Sequence, residues 1–309
     1  AAICVRQCSA PRATRCALLP GLRLPQLQEK AIEMLKSIAS EVWAFDLEFV
    51  PDPETGRAAL GLHGAPDDIV VDHMWAEERS RSDSKDPRPF LPTPLCRVVA
   101  IAAVRRRKDK PLDLLSLPHD VEGEKAIVDR FLCGVESRKP QLVGWSSIGD
   151  IHVLAHRAMR YGLSYSGLLP PDKPWEGRDY FSTKSGCHVD LLSDLFGGWG
   201  RKSSLNEMAA CLGVPGKLGV SGADVYDLWV AGKEEEIRRY CQADAVTTYL
   251  VWLRAAHLVG LIPDLAAEEA LVRDMVERLA SEGAAHMTAF LEAWRHTGLL
   301  TQTERTSST

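Results

Sequence analysis

Apolar positions along this chain recur at two periods, which separate its strands from its helices. The clearest run is Val42-Trp43-Ala44-Phe45-Asp46-Leu47-Glu48-Phe49-Val50, closed by Pro51-Asp52-Pro53. Aromatic and β-branched residues bounded by a proline turn predict a buried strand. Alternate strand side chains share a face, so Asp46 and Glu48 project side by side. Apolar runs at residues 97–104, 112–117, 141–145 and 187–191 predict further strands. Helical spacing predicts helices over residues 67–79, 122–137, 151–161, 204–212 and 234–257, and a single amphipathic helix over 265–294. Ser203 or Ser204 would cap the helix at 204–212, with Glu207 at capping-box distance from Ser204. The rest of residues 54–94 reads as irregular, polar over 79–86 and held extended by Pro87, Pro89, Pro92 and Pro94. A long connection is usually functional or disordered, and this one leaves the acidic strand directly, where it could flank a site. Three meandering strands, a helix and a further strand predict an α/β fold with a mixed central sheet flanked by helices.

Composition changes this picture little. The 309 residues, 45% hydrophobic and 26% charged, suit one large domain or two small ones with an ordinary core. A formal charge of −5 makes no electrostatic case for nucleic acid, yet excludes none, because cations neutralise the acids of a metal-dependent nuclease. Cysteines at 4, 8, 16, 96, 133, 187, 211 and 241 form no CxxC pair, which fits a reducing compartment and a cytoplasmic location. No apolar run reaches the length of a membrane span, so no membrane partner is expected. Residues 1–28 hold arginines at 6, 12, 15 and 23 and no acid, the composition of an organelle transit peptide or of an upstream-extended frame starting truly at Met34. We take the second reading and leave residues 1–40 outside the fold as an extension.

Candidate chemistry sits at three places. Carboxylates forced together at 46 and 48 repel and need a shared proton or a divalent cation, although alone they read first as an exposed strand end. Asp150 opens the helix at 151–161, where a carboxylate caps or joins the first turn. Tyr240 and Asp244 are four apart and share a helix face, and a carboxylate within a largely apolar helix again asks for a partner. By itself, Tyr240 could be a buried tyrosine with a satisfied hydroxyl. The glycine-rich stretch at 213–222 lacks the G-x-x-x-x-G-K-[ST] pattern, so it is not read as a nucleotide loop. Lys217, Arg178 and the basic turn at 105–110 are candidate phosphate contacts, the turn reading more simply as a solvated hairpin tip. Trp145 and Trp199 could stack bases but read as core. His152 and His156, one turn apart, have no third ligand in sight and read as surface or core histidines.

Asp46-x-Glu48, Asp150 and Tyr240-x-x-x-Asp244, in this order and on these elements, resemble the DEDD superfamily of 3′–5′ exonucleases with a ribonuclease H-like fold, in its tyrosine-bearing DEDDy branch. The chain is most similar to the bacterial family of predicted exonucleases related to the proofreading domain of family-B DNA polymerases. The likeness includes Phe45-Asp46-Leu47-Glu48-Phe49-Val50-Pro51-Asp52, Pro94-Leu95-Cys96-Arg97-Val98-Val99-Ala100-Ile101, Asp190-Leu191, Ser204-Leu205-Asn206-Glu207-Met208-Ala209, Gly213-Val214-Pro215-Gly216-Lys217 and Ile237-Arg238-Arg239-Tyr240-Cys241-Gln242-Ala243-Asp244. It departs at Trp145-Ser146-Ser147-Ile148-Gly149-Asp150-Ile151-His152, where the family pattern resembles Asn-Gly-x-x-Phe-Asp followed by a Pro two residues on. That run is one residue shorter, lacks the Asn and Phe, and has His152 in place of the Pro, while keeping the carboxylate.

The resemblance implies a nuclease domain over 41–262, followed by a C-terminal helix and disordered tail over 263–309. It implies a site using two divalent ions, Mg²⁺ or Mn²⁺, roughly 4 Å apart. Asp46 would bridge both ions, Glu48 and Asp244 would complete the one that activates water, and Asp150 would hold the second through water. Tyr240 would orient the attacking water, with Leu47 and Lys217 as further substrate contacts. The expected substrate is a single-stranded 3′ end, DNA before RNA. With no polymerase region following, a polymerase or DNA repair partner would act in trans. An RNA-trimming enzyme of the same architecture and a catalytically inactive nucleic-acid-binding module are the alternatives.

Overall fold

The computed structural model describes residue 35 and residues 37–169, 178–196 and 202–297. Expectations about residues 1–34, the tail from 301 and Trp199 lie outside the described residues. Strand β1 (Glu41–Pro51) is the middle of a five-stranded sheet of order β3-β2-β1-β4-β5. It runs antiparallel to β2 (Cys96–Arg107), which pairs antiparallel with β3 (Asp113–Pro118). On its other side it runs parallel to β4 (Gln141–Gly144), which pairs parallel with β5 (His188–Asp190). The sheet is mixed, as the strand spacing predicted.

Helices follow in chain order: α1 (Pro53–Leu60), α2 (Asp67–Ser82), the single turn α3 (His119–Glu122), α4 (Glu124–Arg138) and α5 (Ile148–Arg160). After β5 come α6 (Leu205–Leu212), α7 (Val225–Val230), α8 (Glu234–Leu258), α9 (Leu265–Ser281) and α10 (Ala285–His296). Period-two alternation along β1 sorts them onto the two sheet faces. Trp43, Phe45 and Leu47 pack with Ile127, Phe131, Val153 and Leu154 of α4 and α5. Phe131 meets Trp43 and Phe45 at ring separations of 5.8 and 5.6 Å. Val42 and Ala44 pack beneath α8, in a cluster with Val246, Tyr249 and Leu250. Full burial of each such large side chain contributes about 1.5–3 kcal/mol. Asp46 and Glu48 continue the α8-facing set of β1.

Three local readings are corrected. The stretch after β1 is less irregular than expected: Asp52 caps α1 by accepting from the Glu54 N–H at 3.3 Å, Pro53 fills the first turn, and Gly61 ends the helix at φ 67°. An Asp-Pro start with a glycine stop is a helix signal. The single helix expected over 265–294 is two, α9 and α10, because the chain turns at Gly283 with φ 102°, where an L side chain is strained. α7 was not anticipated, its apolar pattern being too short to carry a period.

Candidate metal centre

β1 and α8 build the site between them. Ile237, Cys241 and Ala245, spaced by four along α8, pack on Val99, Ala100 and Ala102 of β2. That contact turns the neighbouring face, with Tyr240 and Asp244, toward Asp46 and Glu48. Carboxylate oxygens of Asp46, Glu48 and Asp244 all lie within 4.8 Å of one another. The sheet register shifts between Glu48 and Phe49, directly after the second carboxylate. Such irregularities re-aim side chains beside sites.

Electrostatics at this cluster are unfavourable without a counter-charge. Burial, then the Asp244 charge, pushes the Asp46 carboxyl up from 3.8 to about 8. Burial and the Asp46 and Asp244 charges push Glu48 well above the carboxylate range. Burial raises Asp244 to about 6, while the Tyr240 hydroxyl and Lys217 hold it lower than burial alone would. Asp46 Oδ2 is buried with no hydrogen-bond partner among the described residues. A buried carboxylate oxygen without a donor costs several kcal/mol unless a proton or cation reaches it. The donors are all carboxylate oxygens, the set that suits Mg²⁺ or Mn²⁺. Cys241 donates its thiol to the Asp46 carbonyl at 3.4 Å, and burial drives its pKa well above the usual thiol value, so no thiolate competes as ligand.

Asp150 stands outside the trio of mutually close oxygens but within its field. Burial and the Asp46 and Asp190 charges push its carboxyl up, and it in turn raises Glu48. It lies in the first turn of α5, not at the cap, which is Ser147. The Ser147 side chain makes no capping bond there. A residue that the likeness included without a role does that work: buried Asp190, at the end of β5, accepts from the Ser146 and Ile148 N–H groups, both at 3.1 Å, and from Ser193 N–H at 3.0 Å. Ser146 holds φ 60°, a left-handed conformation costly for a side-chain-bearing residue. Ser147 instead bonds His188 Nε2 at 2.8 Å, and burial lowers the pKa of that histidine to about 4, so it stays neutral. Gly144 completes the loop, since a Cβ there would sit 2.2 Å from Ser147 Cβ. The shortened second motif is thus a tightly bonded turn. Its advance signals were the place of Asp190-Leu191 in the likeness and a carboxylate closing the short strand His188-Val189-Asp190.

Other anticipated residues fall as follows. The Tyr240 hydroxyl lies near Asp244, whose carboxyl it holds lower, and burial with the Glu48, Asp244 and Asp46 charges raises its own pKa far above the ordinary phenol value. Lys217 lies close enough to Asp244 to lower its pKa, while its backbone N–H donates to Asn206 Oδ1 at 2.9 Å. Leu47 is only 5% exposed and packs in the core, so its side chain does not face a substrate. His152 and His156 rings are 6.5 Å apart, His156 facing Thr93, and among the described residues neither joins a metal-ligand cluster. Arg105 and Arg107 pair with Asp113, and Arg106 with Glu268, which occupies half of the basic hairpin tip internally. Trp145 packs against the α8-side core. No described helix is long and apolar enough to cross a membrane.

A family model for a predicted 3′–5′ exonuclease related to the exonuclease domain of PolB matches residues 88–294. The match includes Asp150, Tyr240 and Asp244 and begins beyond Asp46 and Glu48, so the union of the two halves of the acidic cluster rests on the fold. No curated protein matches the chain.

Proposed function

Since the chain belongs to the family of predicted 3′–5′ exonucleases related to the exonuclease domain of PolB, we propose that it removes nucleotides from the 3′ end of single-stranded nucleic acid with two divalent cations. We assign the catalytic unit to residues 41–262 and favour DNA over RNA as substrate. A polymerase or repair complex is the partner class this reading suggests. The observation that carries it is the convergence of Asp46, Glu48 and Asp244 within 4.8 Å around an unpartnered Asp46 oxygen. Asp46, Glu48 and Asp244 would hold one cation, and Asp46 with Asp150 would face the other.

Divalent cations supply charge neutralisation for the attacking and leaving oxygens and a more acidic water. The residues do the positioning. With its pKa raised, the Tyr240 phenol keeps its proton at neutral pH, so it orients a water by hydrogen bonding and does not deprotonate it. Asp244, one helical turn from Tyr240 and beside its hydroxyl, is the acceptor that would fix the direction in which it points. Lys217 brings a positive charge beside Asp244, where the phosphate of an entering strand would lie. Asp190 keeps the first turn of α5, and so Asp150, at the rim.

The test uses 5′-labelled single-stranded DNA and RNA of one sequence, incubated with Mn²⁺ and wild type or Asp46→Ala. A ladder shortening from the 3′ end, faster on DNA and lost in the variant, is expected. Equal degradation by Asp46→Ala overturns the assignment, and release of the labelled 5′-terminal nucleotide without a ladder overturns the polarity.

A further inference from the structure

The stretch between β1 and β2 carries a second feature that the carboxylate site does not use. Beside the end of β1 lies a cleft of about 130 Å³ lined by Phe49, Val50, Trp75, Arg88, Phe90 and Tyr226. Phe49 and Val50 are the residues directly after Glu48, so the cleft adjoins the acidic cluster along the strand. Phe90 is 75% exposed, although its edge meets the Phe49 ring at a centroid separation of 5.5 Å. Burying a phenylalanine is favourable, and this side chain forgoes most of that gain. Its backbone is stiff, lying among Pro87, Pro89 and Pro92.

The opposite wall is prearranged. Trp75 and Tyr226 meet edge to face at 4.9 Å, and the Arg88 guanidinium lies 5.0 Å from the first ring and 5.6 Å from the second. Arg88 also pairs with Asp227 at 2.9 Å, and Asp72 is near enough to raise its pKa further. With Arg88 paired to Asp227 and its guanidinium laid over the Trp75 and Tyr226 rings, this wall is a settled support and not a free cation for phosphate. What the cleft presents is the exposed Phe90 ring above an apolar floor of Phe49, Val50 and Leu91, in a volume suited to one planar ring and too small for a helix.

We propose that this cleft receives an unpaired nucleobase of the strand, upstream of the bond being cut, stacked on Phe90. The inference rests on the nuclease reading and deepens it. Every base has a π-face, so such a contact tolerates sequence and selects for single strands, whose bases are free to turn out. A 3′ end held at the carboxylates must lead the rest of its strand away over some rim, and this one begins at the residue after Glu48.

Fluorescence anisotropy of a labelled oligothymidylate, with Ca²⁺ replacing Mg²⁺ to suppress cleavage, measures the contact separately from the chemistry. Phe90→Ala should bind about 5- to 160-fold more weakly, the ratio that loss of one stacked base gives. Phe90→Trp should restore affinity, and Leu258→Ala, which truncates another side chain 80% exposed, should bind as wild type does. A fully abasic oligonucleotide should bind weakly and equally to wild type and Phe90→Ala. Wild-type affinity in Phe90→Ala, or the same loss on the abasic strand, overturns the stacking site. Phe90-dependent binding without nucleotide release in Mg²⁺ or Mn²⁺ keeps the site and overturns the nuclease reading. Cleavage with Phe90-independent binding does the reverse, and absence of binding by wild type overturns both.

Discussion

Arg157 offers a test of how the elements carrying the acids are fastened together. Its guanidinium reaches Asp52 Oδ2 at 2.7 Å and Glu124 Oε2 at 2.5 Å, and all three side chains are at most 4% exposed. Asp52 directly follows β1, Glu124 begins α4, and Arg157 lies on α5 two turns beyond Asp150. Glu124 also accepts from the Val98 N–H at 2.7 Å and the Tyr161 hydroxyl at 2.6 Å, tying in β2. One cation therefore joins the elements that bear Asp46, Glu48 and Asp150. Arg157→Met keeps the stem and leaves two carboxylates buried without their charge partner, a loss of about 3–5 kcal/mol. For a chain of this size each kcal/mol lowers Tm by roughly 2–4 °C, so a fall of about 6–20 °C is expected. Arg157→Lys should recover little, because an ammonium lacks the fork that spans two carboxylates. Asp52→Asn with Glu124→Gln in the Arg157→Met background should recover much of the loss, since no buried charge then remains. Differential scanning calorimetry of these variants, with a cation titration of each, measures both parts. A loss below about 1 kcal/mol for Arg157→Met, or a triple variant no better than the single one, refutes the reasoning.

Three further outcomes follow from the site. In EDTA, the folded protein holds protons on Asp46 that the unfolded chain releases above 3.8, so the stability Asp46 contributes is full below about pH 4 and is lost as pH rises through about 8. Thermal melts across that window should fall more steeply for wild type than for Asp46→Asn, and Mn²⁺ should raise Tm of wild type alone; parallel curves contradict this. Tyr240→Phe should lower kcat roughly 100-fold, as loss of one oriented donor does, while calorimetric cation affinity stays near wild type; an unchanged kcat removes Tyr240 from the chemistry. Asp190→Ala should cost about 1–3 kcal/mol by stripping the Ser146, Ile148 and Ser193 N–H groups of their acceptor, and should weaken cation binding through Asp150. Unchanged cation affinity in a folded Asp190→Ala would show that α5 keeps its place without this cap.

Much of this architecture was legible because it is local. A strand with carboxylates two apart, a helix with Tyr240 and Asp244 four apart, and a capping box at Ser204 and Glu207 each declare themselves within a few residues. The readings that failed were also local, but faint. α1 rests on a cap and a proline more than on periodicity, and the break between α9 and α10 rests on one glycine inside a continuing amphipathic pattern.

The sequence alone determined which side chains share a face: Asp46 with Glu48 by the two-residue period of β1, and Tyr240 with Asp244 by the turn of α8. It also determined that these acids lie in apolar surroundings, and therefore that they need a cation or a proton. Only the tertiary structure decided that the two faces meet, because Asp46 and Asp244 are joined by no local rule; the packing of Ile237, Cys241 and Ala245 on β2 brings them together. The same holds for the second motif. Its missing residues looked like a loss, yet Asp190, arriving on a strand forty positions later, accepts the N–H groups that the loop cannot satisfy itself. Long-range partners of this kind leave no period in the chain, since what selects them is the cost of a buried polar group left without one.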